Sequence, residues 1–187
     1  WFAWEYGIGY MLAVKFTPPY APCQLITARY YIASDPADFK VRVFDSNREA
    51  YPVRLLATPI STGWFSMDLS AEKVIVEGDF YVALEYTNDR GDPKLGGDED
   101  NPDGRSWWVN GGWESMSDVA KKKGWHDADF MIRAIIKPID TDNDGLYDHK
   151  EKELGTDPKK PDTDGDGLND KTEVEGVTDP LLSLIHI

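Results

Sequence analysis

Cysteine is nearly absent from this chain. Cys23 stands alone, so no intrachain disulfide can form and the thiol pattern says little about redox compartment. A small apolar residue in or near the core is the expected role for it. Histidine is scarce too: His126, His149 and His186 are isolated, and neither a His-Glu-x-x-His motif nor a Ser/His/Asp set occurs. Catalysis is therefore not expected, although the many carboxylates could supply an acid–base pair. Long hydrophobic runs are missing as well, since a stretch such as GIGYMLAVKF (7–16) is short and interrupted by Gly and polar residues. Bases are outnumbered, with 20 Lys/Arg against 34 Asp/Glu and a net charge of −14. That balance leaves no electrostatic footprint for nucleic acid or an anionic membrane, and it points to cations.

What is present divides in two. In a chain of 187 residues, 41% hydrophobic and 12% aromatic with seven Trp, there is material for one folded body plus an appendage. From 8 to 137 the pattern has the short period of strands: 8–16, 24–33, 39–45, 52–58, 63–70, 73–78, 80–87, 105–110 and 129–136, separated by turn-rich segments such as SDPAD and DSNREAYP. Phe39, Val41 and Val43 should share one face and Lys40 and Arg42 the other; Phe80, Val82, Leu84 and Tyr86 should likewise share a face. No helical period persists over three turns. The expected fold class is all-β, an antiparallel β-sandwich or jelly roll over 1–138, followed by two short calcium-loop repeats in 139–181 with little regular secondary structure. Pro138 ends the last strand.

The second part is acidic, with fourteen Asp/Glu against five Lys/Arg in 140–187. It repeats with a 22-residue register, DTDNDGLYDHKEKELGTDPKKP (140–161) and DTDGDGLNDKTEVEGVTDPLLS (162–183). Both copies fit D-x-[DN]-x-[DN]-G-x5-E, the pattern of an EF-hand-type calcium loop. The expected ligands are Asp140, Asp142, Asp144, the Leu146 carbonyl, Asp148 and Glu151 in one copy. In the other they are Asp162, Asp164, Asp166, the Leu168 carbonyl, Asp170 and Glu173. Calcium takes six to eight hard oxygens in a loose sphere, so alternating carboxylates on a tightly curved loop converge on one point. Gly145 and Gly167 permit the turn, and the closing glutamate can chelate with both oxygens. The competing reading is a solvated acidic linker, which a double match in register disfavours. Two departures stand out. Position 8, usually aliphatic in paired EF-hands, is Tyr147 and Asn169, and no helix leads into either loop. Gly155, Pro158 and Pro161 leave room for one helical turn at most after the first loop.

These two segments, with their recurring Thr-Asp-Pro (156–158 and 178–180), resemble bacterial thrombospondin type 3 repeats, calcium-binding repeats of secreted and surface proteins. The resemblance covers about a quarter of the chain. It implies Ca2+ as the bound cofactor, an acidic segment that calcium orders into a stiff connector, and Asp157 and Asp179 as further candidates to ligate or brace. A dockerin repeats at a similar length but needs a longer helix after each loop. Residues 1–137, through WFAWEYGIGYMLAVKFTPPYAPCQLITARYYI, GWFSMDLS, GDFYVALEY, PDGRSWW and ADFMIRAII, resemble β-sandwich accessory modules of secreted archaeal and bacterial multidomain proteins. In such modules an acidic segment precedes the first aromatic cluster, so a truncated start at Trp1 is expected. LSLIHI (182–187) reverse-translates to the end of a transposon adapter used in shotgun sequencing. It is expected to be read-through, and His186 is set aside with it.

Sugar binding is the other function class. Trp107, Trp108, Trp113 and Trp125 lie near one another around Gly-rich turns, and flat indoles stack on pyranose faces. In RSWWVN, Trp107 and Trp108 must face opposite ways, so one belongs to the core. Trp108, Trp113 and Trp125 are the candidate ligand-binding residues. In the loop 96–104, Asp98, Asp100 and Asp103 could hold a structural calcium, but they lack a defined ligand spacing. The expected whole is a non-catalytic fragment of a secreted or cell-surface protein. Its partners would be calcium ions and either glycans or neighbouring domains, with no nucleic acid and no membrane insertion. The competing assignment is a carbohydrate-binding module of a secreted hydrolase.

Overall fold

A computed structural model describes residues 7–100 and 102–183. The WFAWEY start and residues 184–187 of the expected read-through lie outside the described residues.

Thirteen strands and three α-helices follow one another among the described residues. One sheet has six strands, in the order β11 (Trp113–Ser115), β10 (Ser106–Val109), β1 (Met11–Phe16), β7 (Phe80–Tyr86), β3 (Phe39–Phe44), β4 (Leu55–Ala57). The other is built on the long β2 (Cys23–Ser34), which pairs with β13 (Ile132–Pro138), β5 (Gly63–Asp68), β6 (Ile75–Val76) and β8 (Lys94–Leu95). A two-residue ladder joins β9 (Gly97–Asp98) to β12 (Asp129–Phe130). Every pairing is antiparallel. The two large sheets share one core, with Leu12, Val14, Val41, Val43, Val82 and Leu84 from one and Leu25, Ala28, Tyr30, Ile32 and Ile132 from the other. The Tyr30 hydroxyl crosses the layers to donate to the Ala83 carbonyl at 3.2 Å. This is the all-β sandwich that the alternation anticipates.

The faces fall as the period of two requires. Phe39, Val41 and Val43 are buried in the shared core, as are Phe80, Val82, Leu84 and Tyr86. Lys40 and Arg42 turn the other way, and both pair with Glu85 of the neighbouring strand. Cys23 is buried in the core. β13 is an edge strand, and there Pro138, which has no N–H to offer the ladder, can close it.

Helix α1 (Met116–Lys123), two turns long, was not anticipated. Ser115 caps it by accepting from the Asp118 N–H, and Gly124 ends it with φ 69°. The repeats carry helices α2 (Asp148–Leu154) and α3 (Asp170–Gly176) of seven residues each. That corrects the expectation of one turn at most. The helices begin inside the loops, at position 9, so Gly155 bounds a helix already two turns old.

Candidate metal centre

Each loop is wound by its own first aspartate. The Asp140 carboxylate accepts from the Asn143 and Gly145 N–H groups (2.7 and 3.1 Å). Asp162 does the same with Gly165 and Gly167 (2.7 and 2.9 Å). These backbone donors hold the Asp162 carboxyl below the ordinary range, Gly167 contributing most. The curl needs left-handed backbone at the same two places in both copies: Asn143 (φ 65°) and Gly145 (φ 98°), then Gly165 (φ 81°) and Gly167 (φ 101°). At Gly145 a side chain would also strike the Lys171 side chain, 2.9 Å from the Cβ position. The third aspartates accept from the residue two ahead, Asp144 from Leu146 (2.6 Å) and Asp166 from Leu168 (3.0 Å).

The result is two trios, Asp140/Asp142/Asp144 and Asp162/Asp164/Asp166, each with carboxylate oxygens within 4.8 Å of one another. Behind each trio the helix supplies a glutamate. Glu151 is 0% exposed and neither of its oxygens has a hydrogen-bond partner. Glu173 is 1% exposed with Oε2 unpartnered, and the Oδ2 atoms of Asp142 and Asp164 are unpartnered too. Burial, then the charges of Asp142, Asp144, Asp148 and Asp170, pushes Glu151 up to about 7. Burial likewise raises Asp142, Asp164 and Glu173, with the neighbouring aspartates adding to it. A buried carboxylate without a donor is costly in any ordinary fold. Here the aspartates converge and each glutamate is near enough for their charges to act on it, so the residues present fit a hard divalent ion.

Asp148 and Asp170 sit differently. Each turns both oxygens to a threonine at loop position 2: Asp148 accepts from Thr141 N–H (2.8 Å) and Oγ1–H (2.7 Å), and Asp170 from Thr163 at the same distances. Sequence reasoning missed these threonines, although both copies carry Thr after the first Asp. Asp157 and Asp179 lie outside the trios and accept from the N–H two residues on, at Lys159 (3.2 Å) and Leu181 (3.0 Å). Position 8 is the N-cap position of the following helix in both copies. Asn169 accepts from the Thr172 N–H at 2.8 Å, while Tyr147 instead stacks on His149.

The copies are joined to each other and to the sandwich. The Asp144 Oδ2 accepts from the Lys171 N–H of the second repeat at 3.0 Å, and the Thr163 hydroxyl accepts from the Asp157 N–H at 2.9 Å. His149 on α2 stacks on Tyr20 of the β1–β2 connection, with centroids 4.9 Å apart and planes 20° apart.

The tryptophans separate. Trp107 and Trp113 lie on the outer face of the six-stranded sheet with Phe44, Tyr81 and the Arg48 guanidinium, which sits 4.5 Å from the Trp107 ring centre. Trp108 and Trp125 instead pack against the main core and line a common cleft. In the loop 96–104, Asp103 is tied to Arg105, which holds its carboxyl low, and its N–H donates to Asp129 at 2.7 Å. Asp98 accepts from the Asp100 N–H. Among the described residues, no metal-capable group of three forms there.

Residues 140–161 and 162–183 each match the family model of the bacterial TSP3 repeat. No curated protein matches the chain. A solved structure described as "Biofilm associated protein - B domain" aligns with 16% identity over 97% of this chain, with a TM-score of 0.28. The chain spans 47% of that structure's own length. Among the described residues no helix is long and apolar enough to cross a membrane. The chain thus carries two bacterial TSP3 repeats behind a β-rich body of antiparallel sheets.

Proposed function

We propose that residues 139–181 bind two calcium ions and serve as a calcium-stiffened connector behind a β-sandwich, 1–138, in a secreted or cell-surface protein. The observation that carries this reading is the pair of buried glutamates, Glu151 with both oxygens and Glu173 with Oε2 unpartnered, each on the helix that follows an aspartate trio. Asp140, Asp142, Asp144, Glu151 and the Leu146 carbonyl hold one ion; Asp162, Asp164, Asp166, Glu173 and the Leu168 carbonyl hold the other. Asp148 and Asp170, occupied by their threonines, act from position 9 through water, as that position often does. Asp157 and Asp179 shape the turn that follows each helix. Calcium supplies the positive charge that lets these carboxylates pack together.

Stiffness follows from where the ligands lie. Glu151 and His149 share one short helix, so an ion that fixes Glu151 also fixes the ring stacked on Tyr20. The Asp144–Lys171 bond carries that order into the second repeat. Neither repeat has an apolar core of its own, and Tyr147, Leu154, Leu168 and Val174 are all exposed. Without the ion, little holds the segment together. The sandwich is the module the connector positions, with structure or adhesion as its role.

Calorimetric titration of the whole chain should give two sites with dissociation constants of about 10⁻⁴–10⁻³ M, the range of extracellular modules. Calcium should also protect 140–183 from protease, and a chelator should expose it. No heat together with no protection would end the reading.

A further inference from the structure

The two loops differ at one point outside the repeated pattern. Over the turn of the first, the Lys171 side chain of the second repeat lies with Cδ 2.9 Å and Nζ 3.0 Å from the place a Gly145 Cβ would take. At the equivalent Gly167, nothing among the described residues comes within 4 Å of that place. We propose that Lys171 is a tethered counter-ion for the first loop. It offsets the repulsion among that loop's carboxylates before calcium arrives, and it lowers the calcium affinity of that site alone. The role rests on the calcium reading and adds to it a residue that sets the two sites apart.

Backbone and side chain both place the lysine there. Lys171 is the second residue of α3, and its N–H donates to Asp144 Oδ2 at 3.0 Å. Asp144 Oδ1 accepts from Leu146 at 2.6 Å, so this carboxylate is held between its own loop and the next repeat. The side chain then crosses ground that only a glycine leaves open, since a Cβ at 145 would meet it. The residue 22 positions earlier is His149, which reaches back to Tyr20. The residue after loop position 9 thus touches whatever precedes its repeat, and in the second copy it is a lysine lying on a candidate calcium loop.

Charge decides what the contact does. Gly145 donates to Asp140 Oδ2 at 3.1 Å, so an ammonium resting on this glycine lies beside the aspartate trio. Among the described residues, the carboxylate within ion-pair distance of Lys171 is that of Glu175, at 3.9 Å and largely exposed. A pair of that kind commits little of the charge. The ammonium therefore stabilises the clustered carboxylates of the calcium-free state, and it repels a divalent cation entering among them. Both effects weaken binding at the first site. The lysine side chain is 41% exposed, so water and salt screen the interaction and its scale is several-fold.

The test is calorimetric titration of the whole chain with calcium, with limited proteolysis in chelator alongside. Glu173→Gln and Glu151→Gln backgrounds report the first and the second site respectively. Lys171→Gln should tighten the first site about three- to tenfold and leave the second within about twofold. High salt should shrink that difference. In chelator, the same variant should be cut faster within 140–148. Lys171→Arg, which keeps the charge, should behave as the parent. Lys150→Gln, which removes an exposed lysine paired with Glu153 on α2, should change neither readout. Unchanged or weaker calcium binding at the first site in Lys171→Gln would overturn the proposal. So would an equal change in Lys171→Arg or in Lys150→Gln. If the parent takes up no calcium, the calcium reading falls and the role of Lys171 with it. If the parent binds two ions and Lys171→Gln is silent, only the role of Lys171 falls.

Discussion

The two repeats are wound by the same bonds and supported by different neighbours. Thr141–Asp148 and Thr163–Asp170 agree at 2.8 and 2.7 Å in both copies, and each copy carries a buried glutamate on its helix. The first copy, however, is clamped on two sides. Its His149 stacks on the sandwich at Tyr20, and its Asp144 holds the backbone of the second copy at Lys171. Among the described contacts the second copy is gripped only by the first. Its helix ends on Val177 at φ 64°, where the first ends on Gly155 at φ 86°. The carboxylate geometry is therefore encoded locally and twice, whereas the contacts that hold each copy run along the chain from the sandwich outward.

Removing a closing glutamate should break this comparison most sharply. Glu151→Gln and Glu173→Gln keep the shape but remove the negative charge and leave one chelating oxygen in place of two. Each should weaken its own site by about 100-fold or more, above the ten- to hundredfold typical of outer-shell partners. The propagation should differ. Glu173→Gln should leave the first repeat protected from protease in calcium, because the sandwich still holds it. Glu151→Gln should loosen both, because the second copy loses its anchor. Site-resolved titration with limited proteolysis separates the two outcomes, and equal behaviour of both variants would refute the hierarchy.

Acid should act next in size, with opposite signs in the two states. In the calcium-free fold Glu151 titrates at about 7 because burial and neighbouring aspartates resist its charge, against about 4.3 in an unfolded chain. Between those values the folded state binds more protons. Calcium-free stability is thus fully present below the unfolded value and is lost as pH rises toward 7. With calcium the carboxylate must be bare, so affinity at the first site should fall as pH drops below about 7, approaching tenfold per unit. Proton release on calcium addition near pH 6 that vanishes near pH 9 would show this. A pH-independent affinity would contradict it.

Tyr20→Ala probes the clamp itself. An aromatic pair contributes about 0.5–1.5 kcal/mol beyond burial. The first site should weaken by several-fold and the sandwich-proximal end of 140–161 should become more open to protease, while the affinity of the second site moves less. If both sites shift equally, the stack does not distinguish them.

Much of this was legible in the sequence, for reasons of period and spacing. The alternation at Phe39/Val41/Val43 and Phe80/Val82/Leu84/Tyr86 fixed which faces meet, and the carboxylate spacing fixed both trios and their glutamates. Two-residue strands such as β8 and β9 carry no period to detect. Helix α1 is too short for one, yet Ser115 three residues before Asp118 and Gly124 after the lysines were a usable start and stop signal. The pairing of Tyr20 with His149, and the sorting of Trp108 with Trp125 away from Trp113, are contacts between distant segments. No local pattern encodes them, because topology alone decides which side of a sheet faces which helix.

The smallest expected effect concerns the helix ends. Val177 takes the left-handed conformation that Gly155 takes in the other copy, and it is 92% exposed, so no packing recovers the strain. A β-branched residue there crowds the following carbonyl, at a cost of about 1–2 kcal/mol, part of which a glycine gives back as unfolded-state entropy. Val177→Gly should therefore stabilise the second repeat by about 0.5–1 kcal/mol, and Gly155→Val should destabilise the first by a similar amount. Since the Thr178 N–H bonds the Glu173 carbonyl at 2.9 Å, a better-formed cap should also steady the ligand and raise calcium affinity at the second site slightly. The paired variants exchange the end residues of the two copies while leaving every ligand in place. If the difference in protease protection between the copies persists after the exchange, it arises from the neighbours and not from the cap.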